Sequence, residues 1–170
     1  MEIDDERNNE YSRVEFRDKT RNLGDFKHDL GFALECENQV ANMLESKYGI
    51  KTLQFNNDNK FDLLCENQKG DKFTIEIKED FMCERTGNIG LEYSCRGRPS
   101  GISVSQADYY LYKAHEPSGE INFYINETYK LKKMIDNLEY HRTVNGGDPG
   151  SNSLNFLFAL DVVQRNFRRL

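Results

Sequence analysis

Asp62, Glu76 and Lys78 are the side chains of this sequence best placed to do chemistry: two carboxylates able to hold a divalent cation, and an ammonium beside them. Hydrolysis of a phosphodiester needs such a set, because negative charge grows on the phosphorus oxygens and on the leaving oxygen as water attacks. A carboxylate-held Mg²⁺ lowers the pKa of that water, and one lysine orients it or holds the phosphate.

The elements that carry these residues read as two strands and a tight turn. Phe61, Leu63 and Cys65 alternate along residues 60–66, and Phe73, Ile75 and Ile77 alternate along residues 72–78. A hairpin centred on Lys69, with Gly70 in the last, left-handed position of a three-residue loop, sets Asp62 opposite Glu76 and Leu64 opposite Thr74. Cross-strand partners have Cβ atoms about 5 Å apart, so the two carboxylates repel each other, yet both reach one cation at Mg–O distances of about 2.1 Å. Lys78 lies two residues past Glu76, on the same face. A Glu-x-Lys triplet by itself is common on solvated strands; the upstream aspartate and the register give this one its weight.

The segment from about Gly31 to Leu138 resembles the PD-(D/E)XK nuclease superfamily, and more narrowly its phage-type and Holliday-junction-resolvase-like members. The resemblance implies an α/β fold with a central mixed β-sheet flanked by helices, a restriction-endonuclease-like core. It implies metal-binding Asp62 and Glu76, a catalytic Lys78, Mg²⁺ or Mn²⁺ as cofactor, and an acidic residue on the helix before the sheet. The implied activity is DNA endonuclease chemistry, structure-selective and junction-resolvase-like, in phage DNA metabolism. The implied substrate includes branched DNA, and a homodimer would cut two strands. Phe61 stands where the motif's name has proline.

A helix over residues 25–49 supplies the acidic candidate. Ala33, Cys36, Val40, Leu44 and Tyr48 form one stripe, and Gly49 stops it. Glu37 falls on the edge of that stripe and Glu35 points to the opposite side, so Glu37 is the expected third metal ligand. A carboxylate at the edge of a core needs a partner.

After Lys78 a glycine-containing loop leads to a strand in which Ile89, Leu91, Tyr93 and Cys95 alternate. Placed beside the hairpin, that strand would aim Glu92 at the metal as an outer-shell ligand. The stretch from Arg96 to Asp108 joins Arg96 and Arg98 to small residues whose N–H groups can approach a phosphate. With Arg85, Ser100 and Gln106 it is the candidate DNA-backbone clamp, and the resemblance places its Ser100–Ile102 and Ala107–Tyr110 runs in the same role. Residues 109–113 and 121–125 read as further strands of the sheet. Thr128 is the expected N-cap of a helix through Leu131, Met134, Ile135 and Leu138. Residues 145–152 are too rich in turn residues for a regular element, and 154–163 fit a strand or a helix with a basic end.

The 170 residues suit one domain, with residues 1–22 as a flexible charged arm and 23–170 as the nuclease-like domain. Neither a membrane span nor a secretory signal is evident, which predicts a cytoplasmic protein of a bacterial or phage-infected cell. Cys36, Cys65, Cys83 and Cys95 lack Cys-x-x-Cys spacing, and His28, His115 and His141 are scattered; reduced thiols are expected, without zinc or an iron–sulfur cluster.

The net charge of −6 opposes a DNA partner. Acid clustered in the arm, where residues 1–10 hold five acids and one base, would leave Arg85, Arg96, Arg98 and Lys78 as a local positive rim. Two other classes fit the composition: a non-catalytic nucleic-acid-binding or protein-interaction module on the same fold, and a small acidic interaction protein.

Overall fold

The computed structural model describes residues 23–56, 60–146 and 152–170. The expected arm over residues 1–22 lies outside the described residues, as does the centre of the turn-dense segment. The chain opens with helix α1 (Leu23–Tyr48), followed by strands β1 (Lys51–Phe55), β2 (Leu63–Glu66) and β3 (Lys72–Asp80). A short helix α2 (Cys83–Thr86), strands β4 (Asn88–Cys95) and β5 (Arg98–Pro99) and a 3₁₀ turn (Gly101–Ser103) come next. Strands β6 (Tyr109–His115) and β7 (Ile121–Glu127) precede helix α3 (Thr128–Asp136). The chain ends with β8 (Arg142–Gly146), β9 (Ser153–Ala159), helix α4 (Leu160–Asn166) and β10 (Arg168–Arg169).

The fold is mixed α/β. Its central sheet has the order β1-β2-β3-β6-β7-β10, antiparallel except for the parallel β3–β6 pair. Parallel neighbours need a crossover, and here residues 81–108 provide it with α2, β4, β5 and the 3₁₀ turn. A second, antiparallel sheet has the order β5-β4-β9-β8.

Helix α1 buries Cys36, Val40, Ala41 and Leu44 on Leu63, Cys65, Ile75, Ile77 and Leu111 of one sheet face. The opposite face presents Tyr110, Tyr112, Ala114 and Tyr124 to a second core with Ile89, Leu91, Leu131, Phe158 and Val163. Gly49, at φ 63°, ends α1 in the left-handed conformation and donates its N–H to the Glu45 carbonyl at 3.0 Å. Ala33 is exposed, so the apolar stripe packs only from Cys36 onward.

The hairpin register is the expected one. Leu63 pairs with Ile75 and Leu64 with Thr74. The Asn67 N–H reaches the Asp71 carbonyl at 3.0 Å, and Gly70 has φ 86°, which leaves residues 68–70 as the loop.

Four readings of the sequence are corrected. Strand β4 does not lie beside the hairpin; it sits between β5 and β9 in the second sheet, because its alternating Ile89 and Leu91 complete the tyrosine-faced core. Glu127, in extended conformation, holds the N-cap position of α3, while Thr128 is its first helical residue and donates its N–H to the Asp108 carbonyl at 2.9 Å. Leu138 is 71% exposed at φ 57°, past the end of α3. Asn145 and Gly146 pair with β9 despite their turn propensity. The open choice over residues 154–163 resolves as both, a strand and then a helix. Strand β1 has no counterpart in the sequence reading: Leu53 and Phe55 alternate with Thr52 and Gln54, but the run is five residues long and mostly exposed.

Burial pushes the Cys36 and Cys83 thiols up to about 12 and that of Cys65 up to about 11. The thiolate is the reactive form, and only Cys95 of the four is incompletely buried. Iodoacetamide at pH 8 should therefore add one carbamidomethyl group to the native protein, at Cys95, and four after denaturation, by intact-mass and peptide mass spectrometry.

Candidate active site

Alternation along β3 sends Ile75, Ile77 and Glu79 toward α1 and Glu76, Lys78 and Asp80 toward the second sheet. The β2 ladder begins at Leu63, so β3 beyond Glu76 loses its partner on that edge. Asp62 closes the gap. Its N–H donates to the Ile75 carbonyl at 2.9 Å, and its Oδ2 accepts the Ile77 N–H at 2.6 Å. A side chain thus replaces the missing strand, which pins the carboxylate at the open sheet edge.

Two cavities meet at this edge. One, of about 550 Å³, is lined by Glu76, Lys78, Asp80, Glu92, Ser100 and Tyr110 among others. The other, of about 410 Å³, lies under α1 and is lined by Glu37, Asp62, Lys78, Glu79 and Phe81 among others. Lys78 and Glu79 border both.

The carboxylates load each other. Burial raises the Glu37 pKa, and the charges of Asp62 and then Glu76 raise it further. Asp62 is raised by burial and by Glu76, against the pull of the Ile77 N–H and Lys78. Lys78 offsets part of this repulsion through an ion pair with Glu76, Nζ to Oε1 at 2.6 Å. Burial pulls Lys78 down, but Glu76 and Asp62 outweigh it and hold the ammonium above its ordinary value. The lysine is therefore charged throughout the neutral range.

No family model matches this chain, and none of the curated proteins compared with it does.

Other candidates fall into two groups. Glu92 borders the larger cavity, but its carboxylate accepts the Ser100 hydroxyl at 2.8 Å and the Ser153 hydroxyl. It braces the Ser100 loop against β9. Gly101 makes that loop possible: at φ 49° its missing Cβ leaves room for the Glu92 carbonyl, with which a side chain would collide. Arg85, Arg96, Arg98 and Gln106 are exposed and line neither cavity.

Three residues have a place at the site that the sequence reading did not give them. Asp80, raised by burial, accepts the Cys83 N–H at 2.9 Å and the Gly90 N–H at 2.9 Å, tying the crossover to the end of β3. Burial would raise Glu79 too, but Lys113 and His115, each 2.8 Å away, outweigh it and hold its pKa below the usual carboxylate value. Burial pushes the Tyr110 phenol up to about 12, so beside Glu76 it stands as a neutral hydroxyl.

Do these residues fit a divalent cation? Among the described residues no three His, Cys, Asp or Glu side chains stand close enough as drawn to hold an ion, and Glu76 is turned to Lys78. The donor set nevertheless suits a hard ion: three carboxylates, with no thiolate or imidazole among them. Asp62 and Glu37 are raised by burial and like charge, the strain that a shared divalent cation relieves.

The same strain sets a sign for stability. With folded pKa values of Glu37 and Asp62 above their ordinary 4.5 and 3.8, the native state holds more protons than the unfolded chain, so their contribution favours folding as pH falls from 7 toward those values. Glu37→Gln should stabilise the metal-free protein at pH 7, by up to about 1 kcal/mol. The gain should fade as pH falls toward 4.5. Urea unfolding at several pH values in EDTA checks this; a Glu37→Gln variant less stable at pH 7 would contradict the repulsion.

Proposed function

We propose that this chain is a divalent-metal-dependent DNA phosphodiester hydrolase of the PD-(D/E)XK type, an endonuclease that selects DNA by structure. The observation that carries the reading is that Glu37 of α1 and Asp62, just before β2, line one cavity with Lys78 of β3, which pairs with Glu76 at the sheet edge. The mixed central sheet with α1 on one face is compatible with a restriction-endonuclease-like core.

In this reading Asp62 and Glu76, supported by Glu37, hold Mg²⁺ or Mn²⁺, which supplies Lewis acidity toward the scissile phosphate and the attacking water. Lys78, held charged by its acidic neighbours, orients the water and neutralises charge on the phosphorus oxygens. The Ile77 N–H fixes one oxygen of Asp62, so that carboxylate needs no reorganisation before it works. Arg85, Arg96 and Arg98, exposed on the crossover with Ser100 and Gln106, supply the backbone contacts that an acidic chain otherwise lacks.

The Glu76–Lys78 pair favours a second reading, because it neutralises Glu76 without an ion. A metal-independent nucleic-acid-binding module would keep that pair.

Cleavage of supercoiled plasmid and of a four-way junction separates the two. The hydrolase should cut with Mg²⁺ or Mn²⁺, stop in EDTA, and lose about 10²-fold or more in rate with Glu76→Ala or Lys78→Ala. Junction binding unaffected by EDTA, with no cutting by the wild type, would select the binding module.

A further inference from the structure

We infer that the smaller cavity under α1 is a stacking site for an unpaired nucleobase, with Phe81 as its platform; the inference rests on the phosphodiester reading for the phosphate that delivers the base. Phe81 follows β3 directly, is 54% exposed, and lines this cavity. Like Phe32 on the same cavity it is an exposed aromatic ring, and it stands at the border of the polar site that Glu37 and Asp62 line.

The ring is not loose. Phe81 stacks on His115 with centroids 4.4 Å apart and planes at 28°. The His115 Nε2 lies 2.8 Å from Glu79 Oε1, and the same oxygen holds Lys113 Nζ at 2.8 Å. Lys113 in turn donates to Gln39 Oε1 of α1 at 2.9 Å. The platform is thus braced by β3, β6 and α1. Glu79, the acid bound to the His115 under the ring, is matched by Lys113, so the Phe81 side of the cavity is less repulsive to a polyanion than the side lined by Glu37 and Asp62.

Position supplies the ligand's identity. The same cavity holds Glu37, Asp62 and Lys78, and its volume of about 410 Å³ is in the range of small-molecule sites. A ligand with a phosphate at the acids and a flat apolar body on Phe81 is a nucleotide unit of a nucleic acid strand. A base inside a duplex already has both faces covered, so only an unpaired or extruded base can use the ring. Selection for branched or single-stranded DNA then follows from one aromatic ring, without a module that reads a groove.

The test is binding of the full chain, with Ca²⁺ replacing Mg²⁺, to oligonucleotides carrying 2-aminopurine at an unpaired position or within a continuous duplex. Wild type and Phe81→Trp should quench the unpaired probe, Phe81→Ala should bind it about tenfold more weakly, and all three should bind the duplex alike. Equal affinities of wild type and Phe81→Ala for the unpaired probe, or equal loss on both probes, would overturn the site. So would unchanged quenching together with a Phe81→Ala shift from dimer to monomer in sedimentation, which would make the ring a self-association contact. Cleavage assays keep the two readings apart. Phe81-dependent quenching without Mg²⁺-dependent cutting removes the hydrolase and leaves the base site; cutting with no Phe81 effect does the reverse.

Discussion

The register of the β2–β3 hairpin is the constraint on which the rest of the site depends. A one-residue slip would exchange the faces of β3, turning Glu76 and Lys78 into the core under α1 and Ile75 and Ile77 into the cavity. Burying an aliphatic side chain is worth about 1.5–3 kcal/mol, and Leu63, Cys65 and Ile75 are fully buried while Ile77 is 8% exposed. Repulsion between facing carboxylates costs at most about 1 kcal/mol. The core therefore dictates the register, and Gly70 at φ 86° lets the loop close on it. Apart from the Asp62–Ile77 hydrogen bond and the Glu76–Lys78 ion pair, the acids are held by interactions in which they take no part.

The parallel β3–β6 pair does a second job with the same economy. It places Tyr110 beside Glu76, Tyr112 beside Lys78 and Lys113 beside Glu79, so these three polar positions of β3 each meet a polar or aromatic neighbour. The tyrosine rings floor the larger cavity, and the lysine satisfies the one acid that faces α1. The connection that parallel pairing requires is then used to carry the Ser100 loop over the same cavity, anchored by Asp80 at one end and Glu92 at the other.

Local geometry was legible in the sequence and distant pairing was not. Strand alternation and a well-placed glycine gave the Leu63–Ile75 and Leu64–Thr74 register, although the ladder stops one residue short of Asp62, and helical periodicity set Glu37 on the part-buried side of α1 and Glu35 on the exposed side, because each inference spans a few residues of regular backbone. The position of Glu92 failed because it depends on which strand lies next to β4, and that strand comes from residues 153–159. Asp80 was missed because its partners are backbone N–H groups of Cys83 and Gly90, which have no side-chain signature. Strand β1, an exposed edge, shows only the Leu53–Gln54–Phe55 alternation, too short to mark a strand. The central sheet's strand order and the Glu79–Lys113–His115 cluster needed the parallel register, which no periodicity encodes.

Charge arithmetic at the sheet edge links the two cavities. Glu37, Asp62 and Glu76 bring three negative charges and Lys78 one positive, so the cluster repels a phosphate at neutral pH. The raised pKa values of Glu37 and Asp62 express that imbalance, and either protons or a divalent cation can correct it. On the proposed function, phosphate binding at the acids is therefore conditional on a cation. The proposed stacking on Phe81 depends on it less, since Glu79 beside the ring's His115 is already matched by Lys113. On that reading a strand engages the aromatic platform first and commits its phosphate only when the cation is present, an order of events that follows from where the unpaired charge lies.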